Sequence, residues 1–256
     1  MNIKTFLVLF MHYFRRMTRA FISLFTFVGL PVVITGLLSY IYSSNAEKAG
    51  QEFYMNGYNL ISTSFSMHMM VMFQLNGGLY LLNYLYFDLM QSMKWRFKAT
   101  PVSTHSILFA AAGACTVFTT LQGCLIMILS GIFFDAYWGN PFISVLVVLL
   151  VSLISQLTGM LLLVLTRNIE TSETLSWTIT WGMAIMGGMI FSLPDTGFFK
   201  FMELYGTPYS LARTAIYASG FLGSNVSTLL LALGGLSGCL LLLCAITIPL
   251  GRRSLV

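Results

Sequence analysis

The stretch 104–133 contains no Asp, Glu, Lys or Arg, and it is longer than a helix needs to cross a bilayer. A helical crossing takes about 20 predominantly apolar residues. On that ruler the chain has about six spans, at roughly 20–43, 58–86, 104–133, 142–166, 173–193 and 224–250. Only 8% of the residues are charged and 57% are hydrophobic. A soluble domain carries roughly 25% charged residues, so the apolar surface here faces lipid. The expected fold is an all-α integral membrane protein forming one domain over residues 1–256, with no repeat, linker or low-complexity segment. In the first span Gly29-Leu30-Pro31 predicts a kink, because Pro31 cannot donate a backbone hydrogen bond.

The N-terminus has the length of a signal-peptide apolar region, but Arg15, Arg16 and Arg19 stand where a small-residue cleavage site would be. Lys4, His12, Arg15, Arg16 and Arg19 roughly share one helical face, with Phe6, Leu7, Phe10 and Phe14 on the others. This pattern predicts a helix over 1–19 lying in the membrane interface.

Basic residues set the orientation. With the N-terminus inside, ten (Lys4, Arg15, Arg16, Arg19, Lys94, Arg96, Lys98, Arg167, Arg252, Arg253) fall in cytoplasmic segments and three (Lys48, Lys200, Arg213) fall outside. That asymmetry predicts a multi-pass protein of the cell membrane with both termini cytoplasmic. It also accounts for the net charge of +5 without a nucleic-acid partner. The outer loops 44–57 and 134–141 are short, which argues against an external receptor domain. Segment 194–223 differs: two amphipathic pieces, each too short to span, are separated by Gly206-Thr207-Pro208. Thr207 is the expected N-cap and Pro208 the first helical residue of the second piece. The pattern predicts a re-entrant helical hairpin in the outer leaflet.

Several chemistries are missing. There is no G-x-x-x-x-G-K-[ST] sequence to cradle a nucleotide phosphate and no H-E-x-x-H, so the chain is not expected to be an enzyme or to hold a metal. His12, His68 and His105 lie on separate elements, and His68 is expected to be a hydrogen-bonded packing residue. Cys115, Cys124, Cys239 and Cys244 all fall within apolar runs, as packing residues do. No ionisable residue occupies the middle of a predicted span, which disfavours an ion-coupled transporter.

One segment stands apart from this apolar background. Over 87–101 the basic residues Lys94, Arg96 and Lys98 alternate with Trp95 and Phe97, Asp88 precedes them, and Thr100-Pro101 ends the helix. Together with the span layout and the hairpin, the sequence Lys94-Trp95-Arg96-Phe97-Lys98-Ala99-Thr100-Pro101-Val102-Ser103 resembles the permease subunits of type-2 ATP-binding-cassette exporters. Members of that family run a basic, apolar coupling helix into an Ala-Thr-Pro-Val-Ser-like turn at this point. Pro208 and Arg213 resemble its recurring proline-then-arginine pattern in the outer hairpin. The family's paired glutamates and Gly-Thr step are replaced here by the single acid Asp88 and by Ser92-Met93.

The resemblance implies a cytoplasmic ABC ATPase, two copies per complex, docked on 87–101 through Trp95 and Phe97, with Lys94, Arg96 and Lys98 meeting acidic groups. ATP and Mg would be bound by that partner and no cofactor by this chain. A second permease, identical or homologous, would complete the membrane part. The second and fifth spans would line the path between them. Phe65, Met69, Phe73, Asn76, Tyr80 and Asn83 lie near one face of the second span, with Met67, Met70 and Met72 around them, while Trp177 and Trp181 begin the fifth. Helix packing explains the same stripe without a substrate. The two amides favour a path, since facing lipid would be costly for them. The expected cargo is hydrophobic or amphipathic, a small membrane-active peptide or a lipophilic drug. An ion-coupled secondary transporter and a non-transporting scaffold or immunity protein are the alternatives.

Overall fold

The structure is a computed structural model that describes all residues except 1–2, 21, 23–24, 51, 56, 92–94, 96–103, 190–192, 221–224 and 256. Apart from one two-stranded hairpin, its regular elements are helices. Four of these are long and apolar enough to cross a membrane: Phe25–Lys48, Ser106–Phe134, Pro141–Thr166 and Val226–Leu250.

Helix α1 (Ile3–Thr18) opens the chain. Its Phe6, Phe10 and Phe14, four residues apart, carry successive rings 6.1 Å from one another. Phe14 meets Phe118 edge-on at 6.0 Å, while Tyr13 and Met17 are fully buried. Ile3, Leu7, Val8 and Met11 remain exposed beside the basic residues. An apolar stripe bordered by cations suits a headgroup boundary.

The expected irregularity at Gly29-Leu30-Pro31 takes a different form. The chain winds as a wider π-helical turn over Phe25–Gly29, and α2 (Leu30–Lys48) starts with Pro31 in its first turn. Pro31 therefore sits where the wider turn passes into the α-helix, and the carbonyls of that turn lack its N–H as a donor. Strands β1 (Tyr54–Met55) and β2 (Tyr58–Asn59) follow as a tight antiparallel pair. The Asn59 side chain then caps α3 (Leu60–Leu75) by accepting from Ser62 N–H at 3.0 Å.

The second predicted span is broken. After α3 the chain turns at Asn76-Gly77, resumes as α4 (Gly78–Leu85) and ends in a π-helical turn over Tyr86–Met90. Helix α5 (Thr104–Phe134) leads to α6 (Pro141–Thr166), which Asn140 caps with Pro141 in its first turn. Arg167, in the left-handed conformation at φ 54°, stops α6. Asn168 then starts α7 (Ile169–Met186) by accepting from Thr171 N–H at 3.2 Å. The hairpin is α8 (Gly197–Leu204) and α9 (Pro208–Gly220), and α10 (Val226–Leu255) closes the chain.

Thr207 and Pro208 do what the sequence predicts. Ser210 N–H donates to Thr207 Oγ1 at 3.0 Å and α9 begins at Pro208. Helix α9 is largely buried against the bundle, with Tyr209, Ala212, Ala215 and Ile216 fully inside. Arg213 fastens it. Its Nη1 donates to Gly187 O at 2.6 Å, and its Nη2 reaches Glu203 Oε1 at 3.2 Å and Glu203 O at 3.4 Å. Arg213→Ala is expected to destabilise the protein by about 2–3 kcal/mol, because two carbonyls and a carboxylate lose their charged donor. Arg213→Lys should recover under half of that loss, since an ammonium cannot fork. Thermal unfolding of the detergent-solubilised protein measures both, and equal melting temperatures for wild type and Arg213→Ala would remove the anchor role.

The core has two parts. One, at the hairpin end, gathers Met67, Met70, Val71, Leu75, Ile126, Val147, Val151, Tyr209 and Ile216. The other, at the end that carries Arg16 and Arg167, gathers Tyr13, Met17, Leu81, Leu82, Leu85, Ile107, Ala114, Cys115 and Phe118. The break at Asn76-Gly77 falls between them. Met67, Met70 and Met72 are packed within the first of these clusters. Their exposures do not exceed 3%. His68 is likewise a packing residue, with Nδ1 against the Tyr209 hydroxyl.

Candidate functional site

A helix broken within apolar surroundings leaves backbone groups that its neighbours must satisfy. Here α5, α6 and α7 supply the partners. Gly78 N–H donates to Ser155 Oγ, and Gln156 Nε2 reaches Gly77 O at 3.3 Å. Gln74 Nε2 donates to Thr119 O at 2.8 Å and to Ser152 Oγ. Asn76 is completely buried, with Nδ2 on Met72 O at 3.2 Å and Oδ1 accepting from Thr180 at 3.4 Å and Ser176 at 3.5 Å. Gln122 Nε2 reaches the Tyr80 hydroxyl at 3.0 Å. The amides therefore form an internal polar belt around the break. The Asn76 amide is shared between α3 and α7 within this belt.

Toward the Arg16 end this belt gives way to a cavity of about 440 Å³ between α1, the π-turn before α2, α4 and α7. Its wall is aromatic. Phe27 packs on Tyr80 at 4.9 Å between ring centres and meets Phe73 edge-on at 6.2 Å, and Phe73 meets Trp177 in the same way at 6.2 Å. Its polar end is Asn83 with Glu173. Asn83 Nδ2 donates to Leu79 O at 2.9 Å and to Glu173 Oε1 at 2.7 Å. The third feature is an ion cluster at the rim. Arg16 Nη1 lies 3.2 Å and 3.4 Å from the two Asp88 oxygens, Tyr13 donates to Asp88 Oδ2 at 2.9 Å, and the Arg16 guanidinium sits 4.6 Å over the Tyr84 ring. Burial, and then the Asp88 charge, push the Tyr13 phenol above its ordinary range and keep it a donor.

The chain matches no protein-family model, curated protein or solved structure. Among the described residues no three His, Cys, Asp or Glu side chains come together as a metal-ligand set. The cavity size lies within the range of small-molecule sites, about 300–1,000 Å³, and its lining mixes aromatic rings with the polar groups of Arg16, Asn83 and Glu173.

Of the path residues read from sequence, Phe73, Tyr80, Asn83 and Trp177 converge on or beside this cavity. Phe65 is elsewhere, 5.0 Å from Tyr42, and Met69 is buried. Trp181 is 42% exposed on α7 and does not line the cavity. The sequence reading missed Glu173, Phe27 and Arg16 as lining residues. Glu173, Trp177 and Trp181 stand four residues apart, so the acid shares the tryptophan face, and that spacing was the available signal. In the basic segment, Lys94, Arg96, Phe97, Lys98, Thr100 and Pro101 lie outside the described residues. Trp95 is helical and 75% exposed. Asp88, read with this group from sequence, is instead 2% exposed and turned inward to Arg16 and Tyr13. It ties the end of the broken span to α1.

Proposed function

We propose that this chain is the permease subunit of a type-2 ATP-binding-cassette exporter, moving a hydrophobic or amphipathic cargo out of the cell by alternating access. The observation that carries the reading is the segment following Asp88, basic and aromatic by sequence, with Trp95 exposed. Asp88, just before that segment in sequence, is paired with Arg16 of α1. An exposed tryptophan among cations is a good anchor for another protein. The two-helix hairpin before the last apolar helix supports the same reading. In it, six crossings arise from the four long helices, the broken α3–α4 pair and α7, and both termini are cytoplasmic. A partner ATPase, two copies per complex, binds ATP and Mg and grips segment 87–101, while a second permease completes the pathway. The chain itself catalyses nothing.

Copurification tests this. The intact protein is expected to bring down an ATPase from its own cells, and Trp95→Ala or Arg96→Glu is expected to cut the recovered ATPase at least fivefold. An intact protein that purifies without any ATPase, or variants that retain it fully, would remove the reading. One observation favours a second one: a span interrupted inside a polar belt is also how ion-coupled carriers build their sites. Transport driven by a proton gradient in ATP-free vesicles would select it.

A further inference from the structure

The cavity between α1, α4 and α7 carries an electrostatic imbalance that its packing does not explain. Arg16 and Asp88 neutralise each other at the rim, with the guanidinium held on both carboxylate oxygens and over Tyr84. Glu173, at the polar end, accepts from the neutral Asn83 amide at 2.7 Å, and no ion pair among the described residues includes it. A carboxylate has about four acceptor positions, and Asn83 fills one. The same Asn83 nitrogen also reaches Leu79 O, so the amide is oriented and Glu173 is held in place. Around that fixed negative charge stand Tyr80, Phe27 and Trp177, whose ring faces attract cations, tryptophan most strongly.

We propose that this cavity binds an organic cation with an apolar body, its ammonium, guanidinium or phosphonium centre near Glu173 and its body against Phe27, Tyr80 and Trp177. Three features set the class. The unpaired carboxylate excludes anions and favours a single positive charge. The aromatic wall accepts alkyl or aryl groups. The volume, about 440 Å³, admits a drug-sized cation or one basic side chain of a peptide. The proposal rests on the permease reading only in calling this ligand the cargo; the binding itself needs no ATPase.

The test uses the purified full chain in detergent and equilibrium dialysis against tetraphenylphosphonium. Saturable binding is expected, weakened at least tenfold by Glu173→Gln, a change that keeps an acceptor for Asn83 and removes only the charge. Trp177→Ala should weaken it several-fold. Triphenylphosphine oxide, of similar shape but neutral, should bind weakly and equally to wild type and Glu173→Gln. A lysine-containing amphipathic peptide that competes with tetraphenylphosphonium would extend the class to peptides, and failure to compete would confine it to small cations. Unchanged affinity in a Glu173→Gln protein of wild-type melting temperature would overturn the proposal, as would equal competition by tetraphenylborate. Should Glu173→Gln fail to fold, Glu173→Asp is the second variant, with a several-fold loss expected and no loss counting against the proposal. Charge-dependent binding in a protein that recruits no ATPase would leave this inference standing and remove the permease reading; an ATPase-associated protein without such binding would do the reverse.

Discussion

Gly159→Ala is expected to cost about 3 kcal/mol, among the largest losses from adding one methyl group to this protein. Gly159 on α6 faces Gly78, the first residue of α4, and the two backbones touch without intervening side chains. A Cβ at Gly159 would fall on the carbonyl oxygen of Gly78 and within 3.2 Å of its Cα. A Cβ at Gly78 would in turn fall on the carbonyl of Ser155. These obstacles are main-chain atoms of packed helices, so they cannot swing aside as a side chain does. The close approach also places Ser155 Oγ to accept from Gly78 N–H, which the break at Asn76-Gly77 leaves without a helical partner. Forcing α4 from α6 therefore loses packing and strands a buried donor together. Thermal unfolding in detergent is the measurement. Gly182→Ala on α7 is the control: a Cβ there meets nothing within 4 Å, so helix propensity should leave stability unchanged or raised by up to about 1 kcal/mol. The double variant Gly78→Ala/Gly159→Ala should cost less than the sum of the singles, because one separation relieves both clashes. Strict additivity would show that the two helices do not meet there.

Asp88→Ala is the second large effect, about 2–3 kcal/mol, concentrated on α1. Breaking a buried pair costs about 3–5 kcal/mol when both charges are enclosed. Here Asp88 is enclosed, but the Arg16 side chain is 40% exposed, so water recovers part of its charge and the expectation is lower. The rest of the loss is the Tyr13 hydroxyl, buried with its acceptor gone. Asp88→Asn keeps an oxygen for Tyr13 and should cost about half as much, while Tyr13→Phe removes one hydrogen bond, about 1 kcal/mol. Hydrogen exchange distinguishes this from general weakening: amides of α1 should exchange faster in Asp88→Ala while those of α6 keep their protection. Exchange in α1 that matches wild type would mean that Phe14 and Met17 hold the helix without the ion cluster. The consequence reaches the permease reading, because Asp88 lies just before the basic segment and α1 is the element it grips.

Much of this was written locally in the chain. Hydropathy over 104–133 and 142–166 marks α5 and α6, because burying a helix in lipid depends on composition summed along one segment. Asn59, Asn140 and Asn168 start helices, and Thr207-Pro208 starts α9, because a cap acts within three residues of itself. That Tyr80 and Asn83 share one face of α4 was legible for the same reason: helical periodicity relates near neighbours.

Tertiary structure decided the rest, and each instance joins residues far apart in sequence. Only packing showed that Met67 and Met70 are core, that Trp181 faces outward and that Asn76 serves a helix break. Only packing set Asp88 on Arg16 across 72 positions, so that a residue read as part of a docking surface became a clamp on α1. And only packing brought Glu173 to Asn83 across 90 positions, with Phe27 and Trp177 beside them. A charge at the start of an apolar helix has one meaning facing water and another facing an aromatic cavity. Which way it faces is set by neighbouring helices, and no window of local sequence contains them.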